Sequence, residues 1–448
     1  MQKHNALIES PIIPALLKFA VPFLLASLLQ AVYGGADLLI VGQFSDAANM
    51  AAVATGSQVM QMMVFLVLGL TMGSTVLIGQ YLGAKSYEEV SRTIGATVSI
   101  FFIIGIALTL ILTVFSGLIT RLMNAPPEAL TFTRQYIFIC SCGMLFIVGY
   151  NVISSILRGM GNSSAPLFFI AVACVVNIVL DLVLVAGFGM GAAGAAVATI
   201  IAQGISLLVG IVYIKKRGMA VDFTRGHINF NKHKVRKILQ LGLPIALQNC
   251  LTSISFLLIT AIINSMGLVA AASIGVCEKI SAFTFMAPAS FAAAVAVMAA
   301  QNIGAGNEKR AIKSMYSGAG CALAFSIFFF ILAQLRPHWL TGLFTTDTEV
   351  IKTAVLYLKS FSIDYLLVCY VFCANSFFSG AGHPIFAMAQ SSISTFVVRV
   401  PLSYFLSKMA GVTLFHIGLA APAATILSIV MCVIYMKSGK WRTNTVID

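Results

Sequence analysis

Long runs of apolar residues, each interrupted by only a few polar positions, recur along the whole chain. A bilayer core is crossed by about 20 apolar residues in a helix, because the unpaired backbone groups of an open structure are too costly in hydrocarbon. Twelve runs meet this requirement, and several are long enough to tilt or kink. The pattern predicts an all-α integral membrane protein with transmembrane helices at residues 14–42, 50–82, 92–120, 136–158, 166–187, 191–214, 238–264, 269–302, 313–335, 352–378, 385–408 and 414–436.

The composition agrees with this pattern. Hydrophobic residues make up 59% of the 448 positions and charged residues 9%, against roughly a quarter charged in an ordinary soluble domain. The N-terminal stretch has no small-residue cleavage site after a short apolar core, so we expect the first segment to stay in the protein as a span. Nine cysteines lie in apolar segments, and six histidines show no metal-ligand spacing. No disulfide framework, zinc site or cofactor is expected.

The formal net charge of +13 has an explanation in topology. With the N-terminus placed in the cytoplasm, the inner loops and tails collect eighteen Lys and Arg residues, and the outer side receives six. The positive-inside rule then predicts a multi-pass protein of the cytoplasmic (inner) membrane with both termini in the cytoplasm. Nucleic-acid binding is not needed to explain the basic excess.

Internal similarity recurs at an offset of about 221 residues. The paired segments are "LLKFAVP" with "ILQLGLP", "GQYLGA" with "AQNIGA", "LRGMG" with "FSGAG" and "VYIK" with "IYMK". An even number of spans in each repeat gives both halves the same orientation. We therefore predict two parallel-repeat six-helix lobes, at residues 1–214 and 238–448, joined by a cytoplasmic linker at residues 215–237.

Four polar residues stand out in the apolar spans of the first half, namely Asp37, Asn177, Asp181 and Thr199. If the turn between the fifth and sixth spans lies at "FGMG", Asp181 and Thr199 sit at one depth in a helical hairpin. At a rise of 1.5 Å per residue, both lie roughly 10 to 13 Å below the outer surface, and Asp37 in the first span does too. The shared depth predicts a shared site.

A carboxylate within a span opposes membrane insertion and usually marks an ion or proton pathway. Two carboxylates that are close together and away from water favour uptake of a proton. The amide oxygen of Asn177 and the hydroxyl of Thr199 are neutral hard donors, so the same cluster is also suited to Na⁺. A hydrogen-bonded carboxylate that only holds helices together is the structural alternative.

The second half is not chemically equivalent to the first. Asp37 corresponds to Ile259, Asn177 to Arg399 and Asp181 to Ser403. The second half instead carries Glu278, Lys279, Asp364 and Arg399, which either neutralise one another as structural ion pairs or form a functional site.

Three further positions lie near the first acidic residue. Gln30 and Tyr33 precede Asp37 by seven and four residues and share its helix face, which favours a polar network. Pro22 lacks a backbone N–H and is expected to kink the first span, and a kink near a titrating site is a candidate hinge.

The chain resembles the multidrug and toxic compound extrusion (MATE) family, and in particular its prokaryotic DNA-damage-inducible (DinF-like) branch. The similarity is carried over nearly the whole length by Pro22 and Asp37, "LRGMGNSSAP", "NIVLD" and "GAAGAAVAT". It implies a V-shaped, twelve-helix fold with cation-binding roles for Asp37, Asn177, Asp181 and Thr199. Gln30, Tyr33 and Asn151 then join the surrounding polar network as substrate-binding candidates. An acidic residue that some relatives carry early in the seventh span is missing from "ALQNCLTSISF" here.

The resemblance implies a transporter rather than an enzyme, in which inward H⁺ or Na⁺ drives export of amphipathic, often cationic compounds by alternating access. A monomer without cofactors is expected, with small-molecule substrates and membrane lipids as partners. The nearest alternative is a lipid-linked oligosaccharide flippase of the same superfamily, which is expected to line its cavity with several basic residues. A channel is the alternative from another class, and saturable flux coupled to a second gradient excludes it.

Overall fold

The computed structural model describes residues 6–219, 221, 223–409, 411–443 and 446, and these residues are helical nearly throughout. The remaining positions lie outside the described residues. They include the start of the predicted first lobe, the end of the second, and Ala220 and Asp222 of the predicted linker.

Eighteen α-helices form the described part of the chain. In chain order they are α1 Ala6–Glu9, α2 Ile12–Phe44, α3 Ala47–Gly83, α4 Tyr87–Leu122, α5 Leu130–Cys142, α6 Met144–Gly159, α7 Ser164–Asp181, α8 Gly191–Arg217, α9 Lys232–Asn264, α10 Leu268–Gly304, α11 Glu308–Leu335, α12 Pro337–Gly342, α13 Thr348–Phe361, α14 Ile363–Gly380, α15 Pro384–Ile393, α16 Val400–Lys408, α17 Leu414–Gly418 and α18 Ala420–Ser438. Short 3₁₀ turns lie at Pro127–Ala129, Arg225–His227 and Lys440–Arg442, and π-helical segments at Leu182–Gly187 and Ser394–Arg399.

Eleven helical segments of the described chain are long and apolar enough to cross a membrane, and the number is twelve if one bent pair counts as a single span. That pair corrects the predicted fourth span, residues 136–158, which is two segments bent by 49° at Gly143. A Cβ atom on Gly143 would lie 2.5 Å from Cγ1 of Ile200. The break lies where α8 packs directly against the backbone.

The predicted tenth span, residues 352–378, is also interrupted. α13 ends at Phe361 and α14 begins at Ile363. At the break, the carbonyl of Lys359 accepts a hydrogen bond of 2.7 Å from Nε2 of Gln334 and one of 3.1 Å from the hydroxyl of Ser362. Side chains therefore satisfy a carbonyl at the helix end, which makes the interruption tolerable in an apolar setting.

The described chain divides into two compact units whose limits differ from the predicted lobes. One unit is Pro22–Gly242, and the other joins the segment up to Val21 with the chain from Leu243 onward. Both α2 and α9 thus pass from one unit to the other, at or next to Pro22 and Pro244. The predicted lobes follow the repeat in the sequence and stay a prediction. The compact units differ from the predicted lobes because the first turns of α2 and of α9 each pack in the unit formed by the other repeat.

In the unit Pro22–Gly242, the segment 227–242, called the linker strap here, packs tightly against α3 and α4. A Cβ atom on Gly242 would lie 2.3 Å from the carbonyl oxygen of Leu70, so α9 and α3 touch backbone to backbone. The buried ammonium of Lys234 pairs with Glu89 and donates a hydrogen bond of 2.6 Å to the hydroxyl of Tyr81. Close packing and a buried ion pair together hold the strap.

In the other unit, the N-terminal segment takes the corresponding place. Leu16, Phe19 and Ala20 are buried in a core with α10, α11 and α14. The carbonyl of Leu7 accepts hydrogen bonds from Asn302 and Arg310 of α10 and α11. Each unit thus contains the first turns of a helix that belongs to the other repeat.

Candidate functional site

The four polar residues predicted to share a site come from three helices of the unit Pro22–Gly242. Asp37 lies on α2, Asn177 and Asp181 lie in the last two turns of α7, and Thr199 lies on α8. Asn177 and Asp181 are fully buried, and Asp37 is 5% exposed. The structure brings the four side chains together, with the carboxylate of Asp37 facing the other three.

Hydrogen bonds satisfy this cluster only in part. The hydroxyl of Thr199 donates to Oδ2 of Asp37 across 3.4 Å, which is a long hydrogen bond. Among the described residues, the second oxygen of Asp37, both oxygens of Asp181 and both amide atoms of Asn177 have no hydrogen-bond partner. Buried polar groups are normally paired, so these atoms are available to a water molecule, a proton or a cation.

The local backbone explains why these side chains meet. Directly after Asp181, the helix widens into the π-helical segment Leu182–Gly187, a feature that is frequent at functional sites. The turn that follows uses Gly189 and Gly191, whose φ angles are +66° and +52°. The side-chain oxygen of Asn49 accepts from the backbone N–H of Ala192 across 2.8 Å and fixes the start of α8.

A second layer of polar groups surrounds Asp37. The side chain of Tyr33 lies near Asp37 and faces Thr199 and Gln203. Gln203, whose buried Oε1 has no hydrogen-bond partner among the described residues, was missed in the sequence. Its spacing of four residues from Thr199 places both on one face of α8 and could have identified it. Tyr33 thus joins the network as predicted, but whether it binds substrate stays a prediction.

The other predicted residues make no hydrogen bond to this network in the described part of the chain. Gln30 is exposed, and Asn151 is buried and donates to the carbonyl of Ile147 in its own helix across 2.8 Å. Among the described residues, neither contributes a hydrogen bond to the cluster around Asp37. Pro22 lies within α2, at the limit between the two compact units. The substrate roles of Gln30 and Asn151 and the hinge at Pro22 stay predictions.

The other unit holds a polar cluster of different composition. Glu278 accepts a hydrogen bond of 3.0 Å from the hydroxyl of Thr260, and Asp364 lies beside Thr425. The guanidinium of Arg399 is the positive charge that faces both carboxylates. Lys279 is exposed, so the predicted group of four charges reduces to three.

The first cluster has the chemistry of a small-cation site. Two carboxylates, one amide and one hydroxyl offer only oxygen ligands apart from the amide nitrogen, and hard cations prefer oxygen. A proton on either carboxylate would turn an acceptor into a donor toward the other. The arrangement suits H⁺ and Na⁺ alike.

Comparison with known families gives this geometry a context. The family model described as MatE matches residues 22–183 and again residues 244–405, so the second match starts 222 residues after the first. The chain belongs to the MATE family. The predicted family is thereby confirmed, while the assignment to the DinF-like branch stays a prediction.

Individual MATE relatives align over nearly the full length. The chain is 29% identical over 420 residues to the "probable multidrug resistance protein YoeA" of Bacillus subtilis, covering 92% of this chain and 91% of the relative. It is 23% identical to the "multidrug export protein MepA" of Staphylococcus aureus, covering 98% and 96%. A solved structure of a "multidrug resistance MATE family transporter" has a TM-score of 0.92 at 20% identity, with 99% of both chains covered. The predicted fold, an all-helical MATE fold with two repeats, is confirmed.

Proposed function

We propose that this MATE protein is a cation-coupled antiporter that exports amphipathic, often cationic compounds by alternating access. Inward movement of H⁺ or Na⁺ through the cluster of Asp37, Asn177, Asp181 and Thr199 supplies the driving force. Pro22 serves as the hinge of α2, and no cofactor takes part.

The observation that carries the proposal is the pair of Asp37 and Asp181. The two carboxylates face each other in a buried site, and three of their four oxygens have no hydrogen-bond partner among the described residues. Two ionised carboxylates in this arrangement repel each other, and a bound cation removes the repulsion. Cation binding and release therefore change the energy of the site strongly, as coupling requires.

The acid pair favours H⁺ as the coupling ion, because one shared proton satisfies both carboxylates at once. The oxygens of Asn177 and Thr199 keep Na⁺ open, since they would complete an oxygen ligand set around it. In the Na⁺-coupled case, all four residues are metal ligands. Tyr33 on α2 then contacts both Thr199 and Gln203 of α8.

The nature of the cargo is inferred from relatives. YoeA is named a probable multidrug resistance protein and MepA a multidrug export protein, which supports a small-molecule cargo. Tyr33, Gln30 and Asn151 are the candidates for substrate contact. The distribution of Lys and Arg supports a cytoplasmic-membrane protein with both termini in the cytoplasm. We take the monomer to be the functional form.

The proposal requires that substrate and cation compete, because a cation that stabilises one conformation must be released when substrate stabilises another. We expect purified protein in weakly buffered detergent solution to release protons when a cationic dye substrate is added. A pH indicator dye detects the release. The same titration in Na⁺-loaded protein, followed with a Na⁺-selective electrode, shows whether Na⁺ is displaced instead.

Asp181→Asn is the matched variant for this measurement, because it keeps the side-chain shape and removes the charge change. We expect it to bind the dye with a much smaller release of protons or Na⁺. Equal release from the wild type and from the variant would show that the ions come from elsewhere. Dye binding with no release of either ion from the wild type would contradict antiport.

A further inference from the structure

Arg399 holds an unusual position for a charged residue in a membrane span. It ends the π-helical segment Ser394–Arg399 and is half-buried. Its guanidinium carbon lies 4.6 Å from the ring centroid of Phe256 and 5.9 Å from that of Phe361. Both distances fall within the range of cation–π attraction. Aromatic faces therefore hold the guanidinium in place.

Two carboxylates approach this guanidinium from other helices. Glu278 on α10 and Asp364 on α14 both face Arg399. Asp364 is 6% exposed, and its Oδ1 has no hydrogen-bond partner in the described part of the chain. The other titratable groups around the carboxylates are phenols and thiols, which are ordinarily uncharged at neutral pH, namely Tyr357, Tyr365, Cys277 and Cys369. Arg399 is thus the positive charge that both carboxylates share.

Neither carboxylate forms a direct ion pair with Arg399, because within the described ranges no carboxylate oxygen lies within 4.0 Å of its guanidinium. The three charges therefore interact through space, and of the three only Asp364 is buried. Arg399 therefore acts as a nearby positive charge for both carboxylates and not as one half of a salt bridge.

The internal repeat shows which residue of the first half corresponds to Arg399. The two family matches are offset by 222 residues, which makes Arg399 the counterpart of Asn177. In the unit Pro22–Gly242, Asn177 faces a carboxylate pair with no positive charge. In the other unit, a tethered cation occupies the corresponding position, and Ile259 and Ser403 replace Asp37 and Asp181.

We propose that Arg399 is the resident cation of the second repeat. It supplies to Glu278 and Asp364 the positive charge that the coupling ion supplies to Asp37 and Asp181, so the second repeat exchanges no ion during transport. The inference rests on the proposed function of the first cluster. It adds that Arg399 limits the ions moved per substrate to those that bind the first cluster.

The test is a gain of cation binding. The background is the full-length protein carrying Asp37→Asn and Asp181→Asn, in which the first cluster is neutral. Thermal unfolding is followed against Na⁺ concentration at constant ionic strength, with N-methylglucamine as the replacement cation, and proton uptake is followed with an indicator dye. We expect no saturable Na⁺ response and no site-specific proton uptake in this background.

Adding Arg399→Gln to the background should create a response to Na⁺ or H⁺ that saturates at about one ion per protein, since a ligand that binds the folded state stabilises it. Arg399→Lys keeps the charge and should leave the background unchanged. Glu278→Gln and Asp364→Asn, added to the Arg399→Gln protein, should abolish the new response. A folded Arg399→Gln protein without a new response overturns the proposal.

A second measurement decides the question if Arg399→Gln does not fold. In otherwise wild-type protein, Glu278→Gln should leave the number of ions moved per substrate unchanged, as measured from the reversal potential in vesicles. A reduced number would show that the second repeat exchanges ions despite Arg399. The absence of any ion coupling in the wild type would instead refute the proposed antiport, which keeps the two failures distinct.

Discussion

The hydroxyl of Thr199 donates a hydrogen bond to Oδ2 of Asp37 across 3.4 Å, linking α8 to α2 over 162 positions of sequence. It is the one hydrogen bond that the side chains of the cluster make with each other in the described part of the chain. The remaining oxygens of Asp37 and Asp181 face each other unpaired. A small cation at this place would satisfy several of them at once.

Replacing Asp181 with Asn should lower export roughly tenfold or more, which is within the range of typical coupling energies between two sites. The substitution preserves shape but removes the charge change. Export is measured as dye efflux from cells, with membrane expression and gel-filtration profile as controls. Ser403→Ala is the matched variant, because Ser403 is the repeat counterpart of Asp181 and is also buried. We expect Ser403→Ala to be nearly silent, and equal losses in both variants would contradict a site confined to the first cluster.

Thr199→Val removes the donor to Asp37 and keeps the side-chain shape. A hydrogen bond of this kind contributes about 1 kcal/mol, or about fivefold in an equilibrium. If H⁺ is the coupling ion, loss of the donor favours the protonated carboxylate, and half-maximal export moves to higher pH. If Na⁺ is the coupling ion, loss of an oxygen ligand raises the Na⁺ concentration needed. Thr199→Ser keeps the hydroxyl and should behave as the wild type, and an unchanged Thr199→Val protein would remove Thr199 from the site.

The linker strap offers a prediction about stability. Lys234 is 4% exposed and pairs with Glu89, so Lys234→Met leaves this partly buried carboxylate with the exposed Arg92 as its partner. Since Glu89 remains a third exposed, we expect a loss of about 1 to 2 kcal/mol, seen as a lower unfolding temperature. Adding Glu89→Gln should recover part of it.

The control for the strap is Lys352→Met, which removes a pair with Glu349 in which both side chains are about two-thirds exposed. Exposed pairs contribute little, so its unfolding temperature should stay near that of the wild type. An equal decrease in both variants would mean that the buried pair of the strap has no special role.

Much of the first cluster could be predicted from the sequence, because helical rise and a turn at "FGMG" are enough to place Asp181 and Thr199 at one depth. The position of Asp37 near the outer end of the first span placed it at the same depth. The π-helical segment after Asp181 has no marker in the sequence, since it depends on how α7 and α8 pack. The breaks at Gly143 and Ser362 have no marker in the sequence, because the apolar runs continue across both positions. They lie where other helices make contact, through Ile200 at Gly143 and through Gln334 at Ser362.

The division into compact units could not be predicted from the repeat. Similarity at a fixed offset shows which residues are equivalent, but not that the first turns of α2 and α9 pack against the other repeat. Likewise, the sequence left open whether the charges of the second half pair with one another. The structure resolves this because Lys279 is exposed and Arg399 lies against aromatic rings.

Transport by reconstituted vesicles, with a pH gradient or a Na⁺ gradient imposed separately, tests the proposed antiport most directly. For the wild type, we expect an imposed pH gradient at zero Na⁺ to drive uphill movement of a cationic dye. Asp37→Asn should abolish this coupling while the protein remains folded and inserted. Movement driven by the Na⁺ gradient alone would make Na⁺ the coupling ion in place of H⁺. Dye movement that is indifferent to both gradients, or an Asp37→Asn protein that responds as the wild type does, would contradict cation-coupled export through this cluster.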